Sequence, residues 1–115
     1  MVIRQFEDII AWQKAKDLTL TMYRLFKTNK DFTFKDQIIR ASISVMNNIA
    51  EGFERNSDKE FKHFLLIAKG SSGEVRSMLH IASELKYITD NEYAELLSVT
   101  NEISKLLRGL IKSLE

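Results

Sequence analysis

Proline is missing from all 115 residues, and glycine occurs only four times. A chain without its main helix breakers has little to interrupt a regular backbone, so long helices are the architecture most open to it. The apolar residues agree, because they recur in steps of three and four rather than two. Helix one is expected from about Ile9 to Phe26, with Ala11, Ala15, Leu18, Met22 and Leu25 on one stripe and Trp12 and Phe26 widening it. The polar stretch Lys27 to Asp31 ends it. Helix two is expected from a Thr33 N-cap to Arg55. Helix three follows at once, since Ser57 and Glu60 have the spacing of a capping box. Its stripe of Phe61, Leu65, Ala68, Ser72, Val75, Leu79 and Ala82 never slips, so it is expected to run through Gly70-Ser71-Ser72-Gly73. Two glycines inside a helix cost about 2 kcal/mol of propensity, which asks for close packing by a neighbour. Helix four, capped by Asp90 or Asn91, carries Tyr93, Leu96, Ile103, Leu107, Leu110 and Leu114. With no strand pattern and no internal repeat, residues 1–115 read as a single all-α domain. Its simplest packing is an antiparallel up-down-up-down four-helix bundle.

The chain has no cysteine, which excludes disulfides and cysteine-based zinc sites. Seventeen Lys and Arg against sixteen Asp and Glu leave a net charge of +1, so any basic surface must be local. The first ten residues are charged and lack the apolar core of a signal peptide. No apolar run nears the roughly 20 residues of a membrane span. A cytoplasmic chain with no membrane contact is the expectation.

Helix two carries more apolar surface than one core needs. Phe34, Ile38, Ala41, Val45, Ile49 and Gly52 form one stripe; Ile39, Ile43, Met46, Ala50 and Phe53 form a second beside it. A member of a four-helix bundle is not surrounded on all sides, so the second stripe is a candidate subunit interface. A third stripe is polar, with Gln37, Arg40, Ser44, Asn47, Glu51 and Arg55, and Asn48 beside it. Glu51 precedes Arg55 by four residues, the favourable order for a helical ion pair. Asn48, Glu51 and Arg55 are read either as a solvated face or as a satisfied network that sets the register of a helix contact.

Catalytic groups are scarce. Glu60 and His63 have the Glu-x-x-His spacing used in di-iron bundles, but such a site needs the motif twice, and His80 has Ser77 in place of the glutamate. The run Gly70 to Gly73 lacks the lysine and spacing of a phosphate loop. No enzyme, metal or cofactor is expected. Basic residues are more informative: Lys62, Lys69 and Arg76 recur every seven residues on helix three, with Lys59 beside the line. Heptad spacing keeps them on one face, where they can track a phosphate backbone or simply keep the helix soluble. Helix one adds Lys14, Lys16, Arg24 and Lys27.

A longer pattern runs through Gln37-Ile38-Ile39-Arg40-Ala41-Ser42, then Asn48-Ile49-Ala50-Glu51-Gly52 with Arg55. It continues through Glu60-Phe61, Phe64-Leu65, Ala68-Lys69-Gly70-Ser71 and Glu74, with Trp12-Gln13-Lys14-Ala15 upstream and Leu85-Lys86-Tyr87 downstream. This resembles the bacterial four-helix-bundle family that includes proteins encoded within intervening sequences of the 23S ribosomal RNA gene. It is also similar to the accessory variability determinant of diversity-generating retroelements. The resemblance implies a small up-down bundle, often a homopentamer, without established enzymatic activity and with a proposed nucleic-acid-binding role. The retroelement members work beside a reverse transcriptase and its RNA, so RNA or a nucleic-acid-processing protein is the implied partner. Arg40, Asn48, Glu51 and Arg55 are the polar residues of the shared pattern. The chain departs from it at Ile39, where the family often has a second arginine, and in lacking a proline near Met46, which leaves helix two straighter. On this footing Lys62, Lys69 and Arg76, then Lys59 and Arg55, are the candidate RNA contacts. A protein-interaction scaffold that ignores nucleic acid is the alternative.

Overall fold

A computed structural model describes residues 3–115. Four helices follow a short 3-10 turn at Phe6–Asp8: α1 (Ile10–Leu25), α2 (Phe32–Glu54), α3 (Asp58–Glu84) and α4 (Asp90–Ser113). No strand occurs among the described residues. The 27 residues of α3 would span about 40 Å at 1.5 Å per residue, and they set the 42 Å long axis of the molecule.

Connections of a few residues make successive helices fold back on one another, and the side-chain ties show the direction. Ser44 of α2 bonds Ser71 of α3, and Arg55 reaches Glu60 across the turn. Further along, Arg76 of α3 reaches Asn101 of α4, and Lys62 reaches Glu115. Both pairs of helices therefore run antiparallel, as the sequence reading expects. The core takes the apolar stripe of every helix. Ala15, Met22, Ile38, Val45, Ile49, Leu65, Val75, Leu79, Ile103 and Leu107 are all wholly buried. Four buried hydroxyls lie among them without an orphaned polar atom: Thr19, Ser42 and Thr100 donate back to carbonyls within their own helices, and Ser72 donates across to the Thr100 carbonyl at 3.3 Å.

Helix ends depart from expectation in an instructive way. Asp31, not Thr33, caps α2: its carboxylate accepts the Phe34 N–H at 3.2 Å, and the helix gains Phe32. Thr89, not Asp90 or Asn91, caps α4, and with Glu92 it closes a full capping box. Ser57 does cap α3, but the Glu60 carboxylate that would complete that box is drawn to Arg55 instead. At the far end of α3, Tyr87 N–H bonds the Ala82 carbonyl and Lys86 N–H bonds Ser83, with Lys86 left-handed at φ 60°. This Schellman turn brings the Tyr87 ring against Phe26 and Phe34. Its hydroxyl donates to Asp31 at 2.7 Å, tying together the two loops at that end.

The glycines behave unlike one another. At Gly52 a Cβ would lie 2.7 Å from the Phe64 Cβ and 3.1 Å from Phe61, so glycine is what lets α2 and α3 approach there. Helix three does continue through Gly70 and Gly73. No close neighbour within this chain offsets their helix cost, because a Cβ at either would meet nothing within 4 Å.

Candidate nucleic-acid interface

Helix α3 lies between α2 and α4 and shares a seam with each. Lys62, Lys69 and Arg76 all line the α3–α4 seam. The Lys62 ammonium sits 2.8 Å from the Glu115 carboxylate, and the Arg76 guanidinium donates to Asn101 at 2.9 Å. His80 and the Tyr93 hydroxyl continue the line at 2.9 Å. Lys69 makes no ion pair or hydrogen bond among the described residues.

The same antiparallel register that joins 76 to 101 and 62 to 115 brings Arg108 of α4 level with Lys69. Arg108 is exposed and likewise has no polar partner among the described residues. Lys105 and Lys112 lie one turn before and after it on the exposed flank of α4. The seam thus carries cations on both sides, of which Lys62 is paired with Glu115. These three α4 residues are absent from the sequence reading, because Asp90, Glu92 and Glu95 make the segment acidic as a whole. The available signal was the gradient along the helix: acids gather at its N-terminal end and bases at its C-terminal end, as the macrodipole favours.

Two candidates do not join this seam. Arg55 lies at the α2–α3 turn, 2.8 Å from Glu51 and 3.3 Å from Glu60. Its guanidinium also stacks over the Phe64 ring at 4.9 Å. The hydrogen bond to Glu51, reinforced by the charges of Glu51 and Glu60, raises its pKa above the ordinary arginine value. An arginine held by two carboxylates has little charge left to offer a phosphate. Lys59 is exposed on the first turn of α3, apart from the seam.

The expected polar network divides into parts. Asn48 donates to the Ser44 carbonyl and hydroxyl, and Ser44 meets Ser71. Glu51 and Arg55 belong to the separate ion-pair group. Arg40 joins neither; it borders an open groove of about 600 Å³ with Thr33, Asp36, Gln37, Ser44 and Glu74. The four polar residues of the shared pattern therefore divide between two separate bonded groups and an open groove.

On the second apolar stripe of α2, Ile39 is buried, while Ile43, Met46 and Phe53 are half-buried against the core, as is Ala50 by exposure. The most exposed large apolar side chains lie elsewhere: Ile10, Leu20 and Tyr23 on α1, Phe32 at the start of α2, and Leu66, Ile67, Ile81 and Leu85 along or just beyond α3. Glu60 is engaged by Arg55, and His63 stands exposed beside the edge of Phe64. No three His, Asp or Glu among the described residues converge to hold a metal. No described helix is long and apolar enough to cross a membrane.

The family model for the 23S rRNA-intervening sequence protein matches residues 7–109, most of the chain. The chain belongs to that family. Among solved structures it is similar to a Bacteroides thetaiotaomicron protein of unknown function from the S23 ribosomal protein family. That structure superposes with a TM-score of 0.83 at 29% identity, over 90% of this chain and 96% of the other. No curated protein matches the chain. Family membership accounts for the four-helix, all-α fold and for the shared pattern from Gln37 to Glu74.

Proposed function

We propose that this intervening-sequence protein is a non-enzymatic, homo-oligomeric bundle that binds RNA through the α3–α4 seam. The observation that carries the reading is Lys69 level with Arg108, two like charges on facing helices without a carboxylate for either. Like charges across a seam repel, and a bound phosphate is the group that turns the repulsion into attraction. Lys62, Arg76, Lys105 and Lys112 extend the cationic line to either side along the bundle. Displacement of counterions from RNA then supplies affinity without base-specific contacts. Repetition of the seam in an assembly, such as the ring of five that the family resemblance implies, multiplies contacts that are weak singly.

Filter binding of mixed RNA at two salt concentrations tests this. The Lys69→Glu/Arg108→Glu chain is expected to bind at least tenfold more weakly at low salt. Its log-log salt slope should fall by roughly one per cation removed. Unchanged binding at low salt overturns the RNA reading and leaves the protein-interaction scaffold in its place. Assembly is tested separately by light scattering of Ile43→Asp and Met46→Asp. Either charge in an apolar subunit contact is expected to dissociate the assembly before it unfolds the subunit.

A further inference from the structure

Two aromatic rings stand out at the end of the bundle where α1 turns into α2. Phe32 is 65% exposed and Tyr23 52%, whereas every other described aromatic ring is buried or half-buried. Neither packs on another ring of the chain, unlike Phe26, Phe34 and Tyr87, which pack on one another beneath the same turn. A lone exposed ring is ordinary on a protein surface. Two rings set among cations mark an interaction surface.

Helix geometry brings the two rings to one side of the molecule. Lys14 pairs with Glu102 of α4. Tyr23, nine residues on, lies half a turn round α1 from it at 100° per residue, on the flank toward α2. Across the turn, the Lys35 ammonium donates to the Lys27 carbonyl at 3.2 Å, so the start of α2 lies against the end of α1. Phe32 precedes Lys35 by three residues and shares its face.

The charges around these rings are all but one positive. Arg24, Lys27, Lys30 and Lys35 lie in the stretch 23–35, and none joins an ion pair among the described residues. Asp31 is the one acid in that stretch. Its carboxylate is already taken by the Phe34 N–H and the Tyr87 hydroxyl. Asp36, the next acid along α2, borders the groove toward Glu74 of α3.

This combination selects the form of nucleic acid it suits. Cations answer the phosphates of any polynucleotide, but ring faces add affinity only for bases that are not already paired and stacked. Against a duplex, Tyr23 and Phe32 would meet only sugar and phosphate. We infer that the α1–α2 end is a platform for single-stranded RNA, with unpaired bases stacked on Tyr23 and Phe32 and phosphates answered by Arg24, Lys27 and Lys30. The inference rests on the reading of the chain as an RNA binder, but it uses the pair of helices that the α3–α4 seam does not.

Fluorescence anisotropy with a short labelled oligouridine, which does not pair with itself, and with a short mixed-sequence RNA duplex tests it. Tyr23→Ala/Phe32→Ala is expected to weaken oligouridine binding at least tenfold and duplex binding less than twofold. Helical circular dichroism should be retained, because both rings are exposed. Tyr23→Phe keeps the ring and should bind as the parent does. Tyr23→Leu is apolar without a ring face and should bind like Tyr23→Ala.

The seam and the platform can fail separately. If Lys69→Glu/Arg108→Glu binds both RNAs as the parent does while Tyr23→Ala/Phe32→Ala loses oligouridine, the seam is wrong and the platform stands. The reverse result ends the platform alone. Equal losses on both RNAs, or full oligouridine binding by Tyr23→Leu, overturn the inference. So does a parent chain that binds no oligouridine. In that case, sedimentation of the parent but not of Tyr23→Ala/Phe32→Ala with anionic phospholipid vesicles would assign the surface to a membrane instead.

Discussion

The two seams of α3 handle charge in opposite ways. Toward α2, exposed Arg55 is paired with Glu51 and Glu60 and stacked on the face of Phe64, and Gly52 lets the backbones close up. Toward α4, the Ser104 hydroxyl donates to Ser72 and the Ser72 hydroxyl to the Thr100 carbonyl, while Lys69 and Arg108, level in the antiparallel register, have no polar partner among the described residues. At the first seam the Arg55 ion-pair group satisfies itself within one chain, whereas Arg40 borders an open groove. The second satisfies its buried groups but leaves a surplus of charge outside. Two unanswered cations level with each other occur at the second, and that contrast is the basis for the proposal that RNA binds there.

The largest effect should come from disturbing the close seam. Gly52→Ala would force its Cβ against the Phe64 backbone-anchored Cβ, and overpacking of this kind costs about 1–3 kcal/mol. The identical change at Gly70, in open space, should raise the stability of the subunit by up to about 1 kcal/mol through helix propensity alone. Urea unfolding followed by circular dichroism compares the two. Equal effects would mean that close approach is not what joins α2 to α3.

The next effect concerns the Asp31–Tyr87 bond that ties the loops at one end of both seams. The Tyr87 hydroxyl, then the Phe34 N–H, hold the Asp31 carboxyl below its ordinary 3.8. The stabilisation from Asp31 is thus present above that value and lost as pH falls through the lower folded one. Tyr87 itself is raised above 10.0, first by donating to Asp31. Its stabilisation is present below that value and lost as pH rises through the higher folded one. Tyr87→Phe should lower Tm at neutral pH, remove the alkaline loss and shrink the acid one, since the Phe34 N–H remains. A Tm–pH profile parallel to the parent's would refute the assignment.

The smallest expected effect sharpens the comparison most. Lys69→Glu alone sets a carboxylate beside Arg108 and should stabilise the chain by a few tenths of a kcal/mol at low salt. The same change should weaken RNA binding. Opposite signs from one substitution would separate a surface kept for a ligand from one kept for folding.

Much of the fold was legible because periodicity is a local property. The unbroken stripe of α3 carried it through Gly70 and Gly73, and the open space found above both explains why no buried contact opposes that reading. Caps were less legible. Asp31, Thr33, Thr89 and Asp90 are all competent caps, and the choice falls to the residue whose side chain meets a free N–H once the neighbouring helix sets the entry angle. The candidate site was half legible: Lys62, Lys69 and Arg76 share a face by heptad spacing. Nothing in that spacing says that Arg108 stands opposite, or that Arg55 is already neutralised.

The order of apolar and polar residues, with no proline to interrupt it, was enough to determine four long helices and the inward face of each. Which cations confront one another, which glycine is pressed and which is open were decided by helices distant in sequence coming to one register. Charge and steric contact act over a few ångströms of space, and sequence separation carries no measure of that distance.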